Sequence, residues 1–486
     1  MQLGFDNDKY VEMQTSRILE RIGNYNKLYL EFGGKLFDDL HASRVLPGFD
    51  ANVKTKILQK LKDKAEIIFC IGAPAIEKNK IRADFGITYG NELIRLMKHL
   101  RAIGLKVNSV VITQYTGQPS VTIYKNQLEQ MGEKVHVHTF TEGYPNDIDT
   151  IVSDKGYGAN TFIETTKPLV IVNAPGPNSG KLATCLSQIY HEYKRGVMAG
   201  YAKYETFPVW NLPLKHPINV AYEAATADIA DRNMIDYFHL EAYGLSAVNY
   251  NRDVECFPVV RDILKKIMGS ECYKSPTDMG VNMVGYAITD DKVVQEAAKQ
   301  EIIRRYFKTY NEYKMGRVNK DTALRVEVLM NNMGAKPGDR KVSVVANLRA
   351  GEVQGPVVAL ELPNGKILTG RGKETVNASA AVIMNSIKEL AGIDDSVKLL
   401  SPISIDTIQK LKKDTLGLGI TKLNVQEALI ALAFSAASTP VAGKALAKLN
   451  ELRGCEAHST VMLTENEIQM FNRIGVNITC ESEFEI

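Results

Sequence analysis

Residues 168 to 186, Pro-Leu-Val-Ile-Val-Asn-Ala-Pro-Gly-Pro-Asn-Ser-Gly-Lys-Leu-Ala-Thr-Cys-Leu, pass from an apolar strand through a glycine-bearing loop into a helix. The first backbone N–H groups of a helix lack internal partners, and the helix dipole adds roughly half a positive charge at that end, so a bound phosphate satisfies both. Gly176 and Gly180 let the backbone approach a ligand, Asn178 and Ser179 add polar groups, and Lys181 supplies a point charge. The standard phosphate loop reads G-x-x-x-x-G-K-[ST]. Here three residues separate Gly176 from Gly180, and Leu182 stands where the magnesium-binding hydroxyl belongs, leaving Thr184 as a displaced substitute. A Pro/Gly turn capped by Asn178 or Ser179, with Lys181 solvated, accounts for the same letters.

Outward from this stretch, apolar runs at 27–32, 67–71, 107–113, 135–139 and 169–173 read as strands. Helical patterns at 91–103, 120–131 and 181–194 lie between or after them. Such alternation predicts an α/β fold with a mostly parallel, nucleotide-binding-type sheet covered by helices on both faces. Ligands collect at the carboxyl ends of such strands. Three of those ends carry glycine: Phe32-Gly33-Gly34-Lys35, Cys70-Ile71-Gly72-Ala73-Pro74 and the loop around Gly176. Gly34 and Lys35 are therefore further phosphate-binding candidates, although glycines also serve plain tight turns.

The organisation expected is a P-loop-like or Rossmann-like α/β domain over 1–219, a helical subdomain over 220–335, and a C-terminal α/β domain over 340–486. Continuous helices are expected at 221–238, 290–313 and 321–333. After the turn-rich Gly334-Ala-Lys-Pro-Gly-Asp339, strand character is expected at 341–347. A hairpin follows around Pro363-Asn364-Gly365, then a helix at 378–390, a strand at 398–403, helices at 405–413 and 425–452, and a strand at 458–463.

With 486 residues, 45% hydrophobic and 24% charged, the chain has ordinary globular composition, and a net charge of +3 gives no argument for nucleic acid. The first residues lack the basic-then-apolar pattern of a signal peptide, and the run 428–443 is too short to span a bilayer, so a cytoplasmic protein without membrane attachment is expected. Six cysteines, none in a C-x-x-C pair, suit reduced thiols, with Cys185 read as a small buried helix residue.

Other side chains suited to chemistry are scattered. Asp228 and Asp231, three apart in a helical pattern, are candidates to hold magnesium or act as a base, with an exposed acidic turn as the alternative. Arg44, Arg82 and Asp84 are placed on the crevice side, and Asp278 and Asn282 in a polar loop are substrate-binding candidates. His136 and His138 share a strand face but lack a third metal ligand. Glu456 and His458 alternate in the same way and could exchange protons, or form a polar edge. No G-x-S-x-G or H-E-x-x-H motif is present.

Phe32-Gly-Gly-Lys35, His41-Ala-Ser-Arg-Val-Leu-Pro-Gly-Phe49, Val172-Asn-Ala-Pro-Gly-Pro-Asn-Ser-Gly-Lys-Leu182, Ser275-Pro-Thr-Asp-Met-Gly-Val-Asn282 and Cys455-Glu-Ala-His-Ser-Thr460 together resemble a bacterial family known only as a domain of unknown function. The resemblance runs nearly end to end and implies a cytosolic protein, a nucleotide-fold-like N-terminal part, a distinct C-terminal α/β domain and a homo-oligomer; it implies no reaction. The C-terminal hairpin, helix and strand also look like the cytidine-deaminase fold class, but Val376-Asn-Ala-Ser-Ala-Ala381 offers no zinc ligand.

The functional expectation is an enzyme that binds ATP or a related nucleotide with Mg2+ and transfers or hydrolyses a phosphoryl group. Lys181 would stabilise charge and Asp228 or Asp231 would hold the metal. A non-catalytic assembly protein responsive to a nucleotide or metabolite, and a Rossmann-like transferase, are the alternatives.

Overall fold

The computed structural model describes residues 2–82 and 86–484. The chain forms two compact units, Gln2–Ala298 and Lys299–Ile486.

The first unit is built on seven strands: β1 Lys27–Phe32, β2 Ala65–Gly72, β3 Val107–Thr113, β4 Val135–Val137, β5 Leu169–Asn173, β6 Ala199–Tyr204 and β7 Gly280–Val281. Their order is β7-β6-β1-β5-β2-β3-β4, and every pairing is parallel. Parallel strands covered on both faces read as near-continuous apolar runs, and β5 is buried at all five positions. The α/β class and the parallel sheet expected from the sequence are therefore present.

Side chains alternate across the sheet. On one face Tyr29, Val170, Val172, Ile68 and Cys70 pack under Cys185 and Ile189 of the helix Lys181–Lys194 and under Phe257 of the helix Asn251–Met268. On the other, Phe32 and Tyr204 stack with ring centres 4.1 Å apart. The strand order reverses around β5: the chain moves outward through β2, β3 and β4, returns to insert β5 between β1 and β2, and continues to β6 on the far side of β1. That arrangement sets the loops following β1, β5 and β2 side by side at the carboxyl edge.

Several local expectations are corrected. The run 221–238 is not one helix: a helix Pro217–Ala225 ends where Thr226 Oγ1 donates back to Tyr222 O, a 3-10 turn covers Ala227–Ile229, and Asn233–Ile235 pairs antiparallel with Val248–Tyr250. Ala230 takes a left-handed backbone (φ 58°), which no helix continues.

The second unit carries β8 Val357–Glu361, β9 Ile367–Arg371, β10 Glu456–Ser459 and β11 Asn477–Cys480 in the order β9-β8-β10-β11. The sheet is mixed, since only β10 and β11 run parallel. The hairpin around Asn364-Gly365 and the helix Ala378–Ala391 appear where the sequence places them.

Residues 341–347, expected as a strand, begin a helix Lys341–Val353. Val342 and Ala346, four apart, pack on Ala359 of β8, and that contact outweighs the β-branched local preference. Residues 398–401 form no strand; Leu399 and Leu400 enter the core and Pro402 opens a helix instead. The long helix expected to Leu452 breaks at Pro440 into Val425–Ser438 and Pro440–Leu446.

Candidate functional site

Two glycines of the loop after β5 sit where a side chain would clash. Gly180 has φ +76°, and a Cβ there would stand 2.9 Å from the Thr113 side chain. A Cβ at Gly176 would meet the Tyr89 ring at 2.3 Å. Thr113 Oγ1 donates to Ser179 O at 2.9 Å, and Ser179 Oγ donates to Gly176 O at 3.0 Å. Gly180 gives the helix Lys181–Lys194 a cap without a side chain, so no local side chain accepts from its first amides. Asn178 is left-handed and exposed.

Two of the expected phosphate ligands face inward. Lys181 Nζ lies 3.7 Å from Glu31 Oε1, and Thr184 is buried, its hydroxyl accepting from Cys70 Sγ at 3.4 Å. Thr184 therefore does not replace the hydroxyl missing after Lys181. Burial pushes the Cys70 thiol up to about 12 and Cys185 well above its ordinary value, so both are inert packing residues.

Beside this loop lies a charge cluster. Glu31 and Lys203 are direct partners across β1 and β6, and Tyr201 donates to Glu31 Oε2 at 2.8 Å. Lys203 Nζ is 3.1 Å from Glu205 Oε1, is ion-paired to Asp253, and lies 5.3 Å from the centre of the Tyr250 ring. Glu205 continues the edge, its amide donating to Val281 O of β7. Gly280 leaves room for it, since a Cβ there would stand 2.8 Å from Glu205 Oε2.

Three carboxyls thus share two ammonium groups, Lys181 and Lys203, in a largely water-excluded place. Burial pushes Glu205 up to about 7, Asp253 and Glu31 push the same way, and Lys203 opposes them. Burial alone would lower Lys203, but Asp253, Glu205 and Glu31 hold it above the usual lysine value. A carboxyl poised near neutrality at the carboxyl edge of a parallel sheet is the kind of group that gives or takes a proton.

The sequence reasoning missed Glu31, Tyr201, Lys203, Glu205 and Asp253. A signal was present: Lys27-Tyr29-Glu31 and Tyr201-Lys203-Glu205 put polar residues at every second position of strands that are otherwise apolar.

The remaining candidates are held by other partners. Gly34 closes over Lys54, whose buried Nζ is 3.0 Å from Asp39 Oδ2, while Lys35 is exposed and Arg44 half-buried. Only the backbone of Arg82 is described, in the short strand Ile81–Arg82, and Asp84 lies outside the described residues. Asp228 is exposed in the 3-10 turn, and Asp231 is buried against Arg252 Nε at 2.6 Å, so the two share no helix face. Among the described residues no group of three or more His, Cys, Asp or Glu is arranged to hold a metal, and this pair does not fit magnesium.

Asp278 closes a capping box with Ser275 and accepts from Tyr243 Oη, and Asn282 donates to Thr206 O and Pro208 O. His138 contacts Thr161 O, and burial lowers its pKa to about 4. In the second unit Glu456 is held by Arg304 and Arg340, and His458 by Thr479 and Glu481. These groups are committed to the framework.

The fold and its carboxyl-edge cluster define an open parallel α/β protein with a polar cluster at the carboxyl ends of β1 and β6, beside the loop that follows β5. The chain belongs to the family described as domain of unknown function DUF1846, whose N-terminal model matches residues 3–334 and whose C-terminal model matches 338–486. It is 57% identical to a UPF0371 protein of Clostridium tetani (strain Massachusetts / E88) and 54% identical to one of Clostridioides difficile (strain 630). Each comparison covers 100% of this chain and 98% of the relative. Among the described residues no helix is long and apolar enough to cross a membrane.

Proposed function

We propose that the protein is an enzyme acting on a small phosphorylated molecule, a nucleotide such as ATP in the first instance. The phosphate would rest on the loop Gly176–Lys181 and Glu205 would carry a proton to or from the substrate. The observation that carries this reading is the position of Glu205: a carboxyl pushed up to about 7, ion-paired to Lys203, on the same sheet edge as an uncapped helix N-terminus. Lys203 and Lys181 supply the positive charge that an anionic ligand needs once Glu31 and Asp253 yield part of their pairing. A phosphoryl group can be transferred or hydrolysed at such a site only with a bound metal or an equivalent cation, and Asp228 and Asp231 do not provide one.

The loop's departure from the G-x-x-x-x-G-K-[ST] spacing favours a second reading, a ligand-responsive assembly protein without turnover. The hairpin–helix order of the second unit supports a likeness to the cytidine-deaminase class in topology, without its zinc chemistry.

Thermal unfolding of wild type, Lys181→Ala and Glu205→Gln with ATP, ADP, GTP, NAD, adenosylmethionine and inorganic phosphate, with and without magnesium, tests the proposal. A ligand at about a hundred times its dissociation constant stabilises the native state by ~2.7 kcal/mol. A shift lost in Lys181→Ala, with turnover lost in Glu205→Gln while binding persists, supports the enzyme. Binding without turnover supports the assembly protein, and no shift with any phosphate ligand removes the loop as a ligand site.

A further inference from the structure

At the amino edge of the parallel sheet the connecting loops border a cavity of about 660 Å³, within the size range of small-molecule sites. Its wall includes Asn24 and Tyr25 before β1, Tyr193 in the last turn of the helix Lys181–Lys194, Met198 before β6, and Met268 and Cys272 at and beyond the end of the helix Asn251–Met268. Glu205 stands at the other end of β6, ~20 Å along the strand, so this cavity is separate from the carboxyl-edge cluster.

The wall is tied together by its own bonds. Met198 O accepts from Asn26 N at 2.9 Å, and Asn26 Oδ1 accepts from Met198 N at 3.2 Å, which joins the segments before β1 and β6. Tyr25 packs on Gly200 of β6, where a Cβ would stand 2.3 Å from the ring, and its hydroxyl lies 3.4 Å from Tyr273 Oη. Glycine at that strand position is what leaves room for the ring.

Three helices end at this cavity: Asn7–Ile22 just before Asn24, Lys181–Lys194 beside Tyr193, and Asn251–Met268 at Met268 itself. Each such end carries roughly half a negative charge, which lysines and arginines of the last turn commonly answer. Here those side chains are engaged elsewhere. Arg21 donates to Met279 O and Gly280 O, Lys194 pairs with Asp154 at 3.5 Å, Lys265 with Glu271 at 3.8 Å, and Lys266 with Asp149. Among the described residues no lysine or arginine lines the cavity. The helix ends contribute field more than hydrogen bonds, because Ile22 O, Tyr193 O and Lys265 O already accept from Tyr25 N, Gly196 N and Gly269 N. The wall itself offers the π systems of Tyr25 and Tyr193 and the polarizable thioethers of Met198 and Met268, surfaces that attract a cation without hydrogen-bonding it. A primary ammonium brings three N–H donors that need acceptors, whereas a quaternary ammonium brings none. We propose that this cavity binds a small molecule carrying a quaternary, methylated ammonium group.

NMR of the full chain labelled at its methionine methyl groups tests the proposal, by titration with choline and with its uncharged isostere 3,3-dimethyl-1-butanol. Met198→Leu and Met268→Leu assign the two signals. The expected result is that choline moves both signals saturably and binds ~10-fold or more tightly than the isostere. Tyr193→Phe, which keeps the ring, should bind choline as wild type does. Tyr193→Leu, which removes it, should weaken choline ~10-fold, with the other methionine signals in place as the check that the variant is folded. Signals that choline leaves unmoved, equal affinity for the two probes, or wild-type affinity in Tyr193→Leu overturns the proposal. The comparison of the two probes on wild type decides the matter even where Tyr193→Leu fails to fold.

Discussion

Lys203 Nζ and Glu205 Oε1 lie 3.1 Å apart at the end of β6, on one side of the strand, with Asp253 on the lysine as well. One ammonium is thereby shared between carboxyls, and burial, with Asp253 nearby, pushes the Glu205 carboxyl up to about 7 against the pull of Lys203.

This raised value fixes the sign of a pH effect. Below the ordinary glutamate value of 4.5 the carboxyl is protonated in both folded and unfolded chains. As pH rises from there to 7 the unfolded chain ionises first, and the native state loses stability on the order of 3 kcal/mol that is not regained above pH 7. Glu205→Gln removes this term. Urea unfolding from pH 5 to pH 8 should show the variant gaining stability relative to wild type as pH rises; parallel curves would show that Glu205 titrates normally.

Removing the cation has the opposite dependence. Lys203→Met leaves Glu31, Glu205 and Asp253 facing each other with one fewer positive charge, and the expected loss at pH 7.5 is ~3–5 kcal/mol. Protonating the carboxyls relieves the repulsion, so the deficit should shrink at pH 5. A loss independent of pH would reduce Lys203 to a packing role.

The loop after β5 permits a cleaner comparison. Gly180 and Gly196 share φ +76°, but a Cβ at Gly180 meets Thr113 whereas one at Gly196 meets nothing within 4 Å. Gly196→Ala should cost ~1 kcal/mol for the left-handed backbone, and Gly180→Ala a further ~1–3 kcal/mol for the clash. Equal melting temperatures for the two variants would mean that Thr113 gives way freely.

Arg340, 1% exposed, binds Glu456, Thr479 Oγ1, Ala457 O and Asn477 O in the second unit. Burial alone would raise Glu456, but Arg304 and Arg340 outweigh it and hold the carboxyl below its ordinary value. The stabilisation is therefore present above the unfolded value of 4.5 and lost as pH falls through the depressed native one. Arg340→Leu should cost ~3–5 kcal/mol at pH 7, and acid unfolding should set in at higher pH than in wild type.

What the sequence determined alone is the secondary structure whose local signals agree. β1, β3 and β5, the helix Lys181–Lys194 and the hairpin at Asn364-Gly365 appear where periodicity and turn chemistry put them, because uniformly apolar strands and a loop-to-helix switch have few competing readings. It also marked three glycine-bearing strand ends. Their adjacency belongs to the tertiary structure, since only the insertion of β5 between β1 and β2 brings them together. Folding likewise turned Lys341–Val353 into a helix by packing Val342 and Ala346 on β8, and broke 221–238 at Thr226 and Ala230. The charge cluster was the least legible part. Glu31, Lys203 and Asp253 are far apart in sequence and individually unremarkable letters, and only parallel register and shared burial convert them into a group that shifts the proton of Glu205. Charge interactions depend on distance and on exclusion of water, and the linear chain specifies neither until it folds.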